Sequence, residues 1–136
     1  MTRWLNQLQP WGIFLLRIVL GLAMLIHSIP DFLRLAGVPF HIHAGSSIHG
    51  AVGLPHWFYT FSTLTEFFGG LFLVLGLLTR FSAFLLTIDL LSLLLFAEVH
   101  RGYTASEYHL ALAAIAFLLL LTGPGKSALD RKLGLL

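Results

Sequence analysis

Residues 57–97 read WFYTFSTLTEFFGGLFLVLGLLTRFSAFLLTIDLLSLLLFA, with charge only at Glu66, Arg80 and Asp89. The stretch divides into two Leu-rich apolar runs, 57–78 and 81–97, parted by Thr79-Arg80 alone. Each run is near the ~20 residues that a spanning helix needs, and too long for a strand. A connection that short forces the two helices into an antiparallel hairpin. Apolar and polar residues do not alternate with period two, which excludes an outer-membrane barrel. The pair reads as two transmembrane helices.

Working outward, residues 11–29 and 105–122 form two further apolar runs of similar length. The predicted fold class is therefore all-α: one integral-membrane four-helix bundle over residues 1–136. Composition agrees. Of 136 residues, 57% are hydrophobic and 10% charged, against about 25% charged in a soluble domain, and the mean hydropathy is +0.89. A chain this short cannot hide so much apolar surface in water. Without cysteine, disulfide scaffolds, iron–sulfur clusters and thiolate zinc sites are excluded. The Lys and Arg residues are scattered, so a nucleic-acid partner has no basic stripe to bind. The first run is expected to be a retained span, because no small-x-small cleavage pattern follows His27. Pro30 is expected to open a separate short turn over 31–36, ended by Gly37-Val38-Pro39. Residues 30–56 then form a polar loop rich in Gly, Ser and His, and residues 126–136 a short amphipathic tail.

Basic residues near the helix ends set the expected topology. Arg3, Arg80, Lys126, Arg131 and Lys132 collect on one side, and Arg34 and Arg101 on the other. Both termini are thus expected in the cytoplasm, with the chain a multi-pass protein of the inner (plasma) membrane. All seven histidines then fall on the outer half, together with Asp31, Glu98 and Glu107.

Three ionisable residues lie at bilayer depth: Arg17, Glu66 and Asp89. Such groups cost at least ~2.5 kcal/mol each by insertion scales and normally turn toward partners inside a bundle. Helical spacing predicts this orientation. Arg17 shares a face with Gly21 and Ser28, Glu66 with Thr63, Gly69 and Gly70, and Asp89 with Ser82 and Ser92. His109, Ala113 and Ala116 line the fourth helix in the same way, and small residues let helices approach closely in lipid. A rise of 1.5 Å per residue places Arg17 level with Asp89 and within reach of Glu66. An ion pair or triad that fixes helix register is one reading; a proton or ligand site is the other.

Among the histidines, His41-x-His43 with His49 and His56, and His100 in the next outer loop, are candidate metal ligands, since imidazole suits zinc, copper or iron. Solvated loop histidines are the plainer reading. His27 and His109 are predicted at similar depth on facing helices. Such a pair suits axial ligation of a b-type haem, a hydrogen bond to a quinone carbonyl, or a contact with Glu66 or Glu107. Glu107 and His109, two residues apart, point in opposed directions. Trp4, Trp11 and Trp57, with Tyr59, Tyr103 and Tyr108, sit at span ends as interfacial anchors.

Three segments carry a family resemblance: LRIVLGLAMLIH at 16–27, TEFFGGLFLVLGLLTR at 65–80 and EYHLALAAIAFLLLLTGPGKSALD at 107–130. The chain resembles the DoxX family of small four-helix membrane proteins over nearly its whole length. That resemblance implies Arg17, Glu66, Gly69, Gly70, Gly123, Gly125 and Asp130 as motif positions. It also implies kinship with subunits of quinone-linked oxidoreductases such as the thiosulfate:quinone enzyme. Three functions stand open on the sequence. One is a redox-associated subunit that binds a quinone or haem, not catalytic alone, with a redox-enzyme partner. The second is a non-catalytic assembly or docking protein, and the third a small metal- or solute-handling protein. The lipid bilayer is a partner in all three, and a homo-oligomer is compatible with each.

Overall fold

The computed structural model describes residues 3–38, 55–98, 103–125 and 132–134. It contains four long helices: α1 (Arg3–Leu35), α2 (His56–Leu75), α3 (Thr79–Leu93) and α4 (Tyr103–Thr122), with α3 prolonged by a π-helical turn over Leu94–Glu98. Each helix packs along the next in sequence, and α4 closes on α1.

Helix α1 is longer than its apolar run suggests. Its 33 residues extend about 50 Å, beyond a hydrocarbon core of about 30 Å. Pro30 does not open a separate turn as the sequence suggested; it lies inside α1, which continues to Leu35. A membrane helix tolerates proline because packed neighbours compensate the freed backbone groups. The true end is a Schellman cap. Gly37, at φ +76°, donates to the Arg34 carbonyl, and Val38 donates to that of Leu33. The same device ends α2, where Gly76 (φ +69°) donates to Leu73 and Leu77 to Phe72. The hairpin link is therefore Gly76–Leu78 rather than Thr79-Arg80, and those two residues open α3. Leu78 enters it at φ 46°.

The bundle is built inside-out. Arg17, Glu66 and Asp89 are 2, 4 and 3% exposed, while Val19, Ile26, Phe68, Leu110 and Phe117 lie bare on the outside. Only a hydrocarbon solvent rewards that arrangement. Residues 6–35, 56–75 and 79–96 are long and apolar enough to cross a membrane, and Glu107–Thr122 is a shorter apolar stretch. Exposed Trp4 and Trp11 lie toward one end and Trp57 toward the other, the placement of interfacial aromatics.

Gly21 and Gly70 set the register of α1 against α2. A β-carbon on Gly21 would sit 2.8 Å from the Gly70 carbonyl oxygen, and one on Gly70 would sit 2.9 Å from that of Gly21. The backbones touch here, as small residues in lipid permit. Beside the crossing lies a dry layer of Leu20, Met24, Leu73, Leu86, Leu90 and Ala116.

Candidate functional site

The predicted inward stripes face the interior except at Ser92, which is only half-buried and donates its hydroxyl to the Ile88 carbonyl at 2.8 Å. Arg17, Gly21 and Ser28 are buried, as are Thr63, Glu66, Gly69 and Gly70, then Ser82 and Asp89, and finally His109, Ala113 and Ala116. Their pairing differs from the expectation. Arg17 Nη1 donates to the Pro124 carbonyl at 2.7 Å, and its guanidinium lies 5.3 Å from the Phe14 ring centroid. The Asp89 carboxylate accepts from Ser62 Oγ at 3.0 Å. The ion pair joining two described residues is Arg34 Nη1 with Asp31 Oδ1, at 3.2 Å.

Side-chain direction and register explain why no Arg17–Glu66–Asp89 triad forms among them. Side chains on a helix lean toward its N-terminus, so in antiparallel α1 and α2 Arg17 and Glu66 lean apart. The Gly21–Gly70 crossing adds to this. Arg17 lies four residues from Gly21 on one side of the crossing, and Glu66 four from Gly70 on the other. Their Cα atoms are thus about 12 Å apart along the bundle. Arg17 instead braces the turn after α4, where Gly123 and Gly125 take φ +78° and +75°.

At the opposite end the structure brings His27 and His109 together. Their ring centroids are 6.2 Å apart at 82°. Tyr108 lies 6.2 Å from His27 and 5.4 Å from His109. His109 is buried and Glu107 exposed, the opposed orientation their spacing requires. One layer deeper, Glu66 makes no hydrogen bond or ion pair with another described residue. Asp31, expected in a separate turn, rides on α1 and hydrogen-bonds the Tyr59 hydroxyl as well as Arg34. Two of these contacts escaped sequence reasoning. The anchoring role expected of Tyr59 does not include its contact with Asp31, and the signal for Ser62 lies in its i, i+4 spacing to Glu66.

His56 is the first residue of α2, exposed, with its ring 6.2 Å from that of Tyr59. His41, His43, His49, His100 and Asp130 lie outside the described residues. Among the described residues, no three of His, Cys, Asp and Glu converge as a metal site.

A family model described as DoxX matches residues 12–99, which carry Arg17, Glu66, Gly69 and Gly70. The chain belongs to the DoxX family. It is a multi-pass membrane protein, and the DoxX match runs from the start of the first apolar run to the π-helical turn, ahead of Gly123, Gly125 and Asp130. No curated protein and no solved structure matches the chain.

Proposed function

We propose that this DoxX protein binds a membrane-soluble ring ligand with carbonyl acceptors, of the quinone class, at the His27–His109 end of the bundle. The observation that carries the reading is the convergence of two imidazoles and the Tyr108 phenol above a buried carboxyl without a hydrogen-bond partner among the described residues. Imidazole N–H groups suit carbonyl oxygens, and an ionisable residue inside a bundle marks a functional site by default. A bound quinone supplies the electron chemistry. The chain supplies hydrogen bonds from His27 and His109, and Glu66 as the carboxyl that exchanges a proton. It acts as a redox-associated component with a partner subunit, in the inner membrane. In the sequence, Arg3, Arg80, Lys126, Arg131 and Lys132 flank the apolar runs on the side away from the histidines, which supports cytoplasmic termini.

The test is the quinone content of the purified full chain, by lipid extraction and mass spectrometry, beside its visible spectrum. The expected result is about one quinone per chain, reduced about tenfold in His109→Ala, the loss of one buried hydrogen bond, and reduced also in Glu66→Gln. Equal retention by wild type and both variants would overturn the proposal. So would a Soret band lost in His109→Ala, which assigns the pair to a b-type haem instead.

A further inference from the structure

The hydroxyls of Thr60, Thr87, Ser92 and Thr122 each donate to the carbonyl one turn back, at 2.6–3.1 Å. That is the ordinary resting place of a Ser or Thr side chain in a membrane helix. Thr63 departs from it. The residue is 1% exposed, and its Oγ1 makes no full hydrogen bond. It faces the Tyr59 hydroxyl instead, one turn nearer the start of α2. Tyr59, Thr63 and Glu66 recur at i, i+4 and i+7, so they line one face of α2. The Tyr59 hydroxyl in turn bonds Asp31 on α1, and Asp31 is paired with Arg34, whose side chain is 42% exposed.

From Tyr59 to Glu66 is seven residues, about 10 Å of depth. Glu66 leans toward the start of its helix, and so toward Thr63. The sense of the hydrogen bonds follows from the ion pair. As its carboxylate, Asp31 can only accept, so the Tyr59 O–H donates to it. The Tyr59 oxygen then accepts from Thr63, and the Thr63 oxygen is left as the acceptor for a protonated Glu66. Every donor in this row points toward the membrane surface. The other ionisable groups of the interior are engaged elsewhere: Asp89 on α3 accepts from Ser62, Arg17 on α1 donates to Pro124, and the rings of His27 and His109 meet each other.

We infer that Tyr59 and Thr63 form a proton-release path from Glu66 to the membrane surface at Asp31. In one passage the Glu66 O–H bond breaks as its proton joins the Thr63 oxygen. The Thr63 proton passes to the Tyr59 oxygen, and the Tyr59 proton joins the Asp31 carboxylate, which hands it to solvent. Each hydroxyl gains one proton and loses one, and no electron moves. The path rests on Glu66 as the carboxyl that exchanges a proton, but not on which ligand lies beside the histidines.

The experiment is infrared spectroscopy of the full chain reconstituted in vesicles, following hydrogen–deuterium exchange of the Glu66 carboxylic acid band after a switch to heavy water. The band is assigned by its loss in Glu66→Gln. Tyr59→Phe and Thr63→Val, both close in shape to the native residues, are each expected to slow its exchange about a hundredfold, the low end for a positioned proton carrier. Thr63→Ser, which keeps the hydroxyl, restores the rate. Thr65→Val, on the side of α2 that faces α3, leaves it unchanged. Equal rates in wild type, Tyr59→Phe and Thr63→Val would overturn the path, and so would the absence of any band assigned to Glu66. Quinone content of the same samples separates the two readings: slowed exchange in a chain that retains no quinone keeps the path and removes the quinone site, whereas retained quinone with unaltered exchange does the reverse.

Discussion

Substituting Gly70 with alanine tests whether a backbone contact in α1 and α2 holds the bundle in register. The new β-carbon would meet the Gly21 carbonyl oxygen at 2.9 Å, Met24 Cβ at 3.0 Å and the Leu25 nitrogen at 3.1 Å. Two of these three are main-chain atoms, so no rotamer change relieves them. Ordinary contact begins near 3.4 Å, and 3.4 less 2.9 leaves about 0.5 Å by which the helices must part. A gap of 0.5–1 Å forfeits a quarter to a half of the dispersion attraction along the seam. Overpacking of this kind costs roughly 1–3 kcal/mol. Gly12 is the internal control, since nothing lies within 4 Å of a β-carbon placed there. Gly12→Ala should be neutral or raise stability by ~0.5–1 kcal/mol through helix propensity. The assay is unfolding in detergent, followed by circular dichroism and tryptophan fluorescence. Because both residues report one contact, Gly21→Ala and Gly70→Ala together should cost less than their sum. Equal stability of Gly70→Ala and Gly12→Ala would refute a close crossing.

Arg17→Gln removes a charge-assisted bond to Pro124 and should cost about 1.5–3 kcal/mol, with faster proteolysis beyond residue 122 as the local readout. Combined with Glu66→Gln its effect should add within about 0.5 kcal/mol; a larger coupling in a double-mutant cycle would restore the ion pair that the sequence suggested. In the hairpin link, Gly76→Ala should lose about 1–2 kcal/mol because alanine is strained in the left-handed region. Leu78→Gly should be neutral or stabilising there, and thermal melts of the two variants would separate these outcomes.

The hairpin of residues 57–97 needed only composition and length to be legible. So did the inward placing of Arg17, Glu66, Asp89 and His109, because helical periodicity is local and a charge in hydrocarbon has nowhere else to turn. Pro30 misled for the complementary reason. Its effect on a helix depends on whether neighbours satisfy the freed carbonyl, which no window of sequence contains.

Sequence alone determined the solvent, the number of long helices and the face each one buries, since all three follow from hydropathy and a 3.6-residue period. Tertiary structure alone decided who meets whom. Depth counting treated side chains as points on a rod, whereas Arg17 and Glu66 lean in opposite senses and the Gly21–Gly70 contact offsets them further. That offset gives Arg17 to Pro124 and Asp89 to Ser62. Glu66 is left beneath two histidines because axial register arises from where two backbones can touch, a relation between helices and not a property of either one.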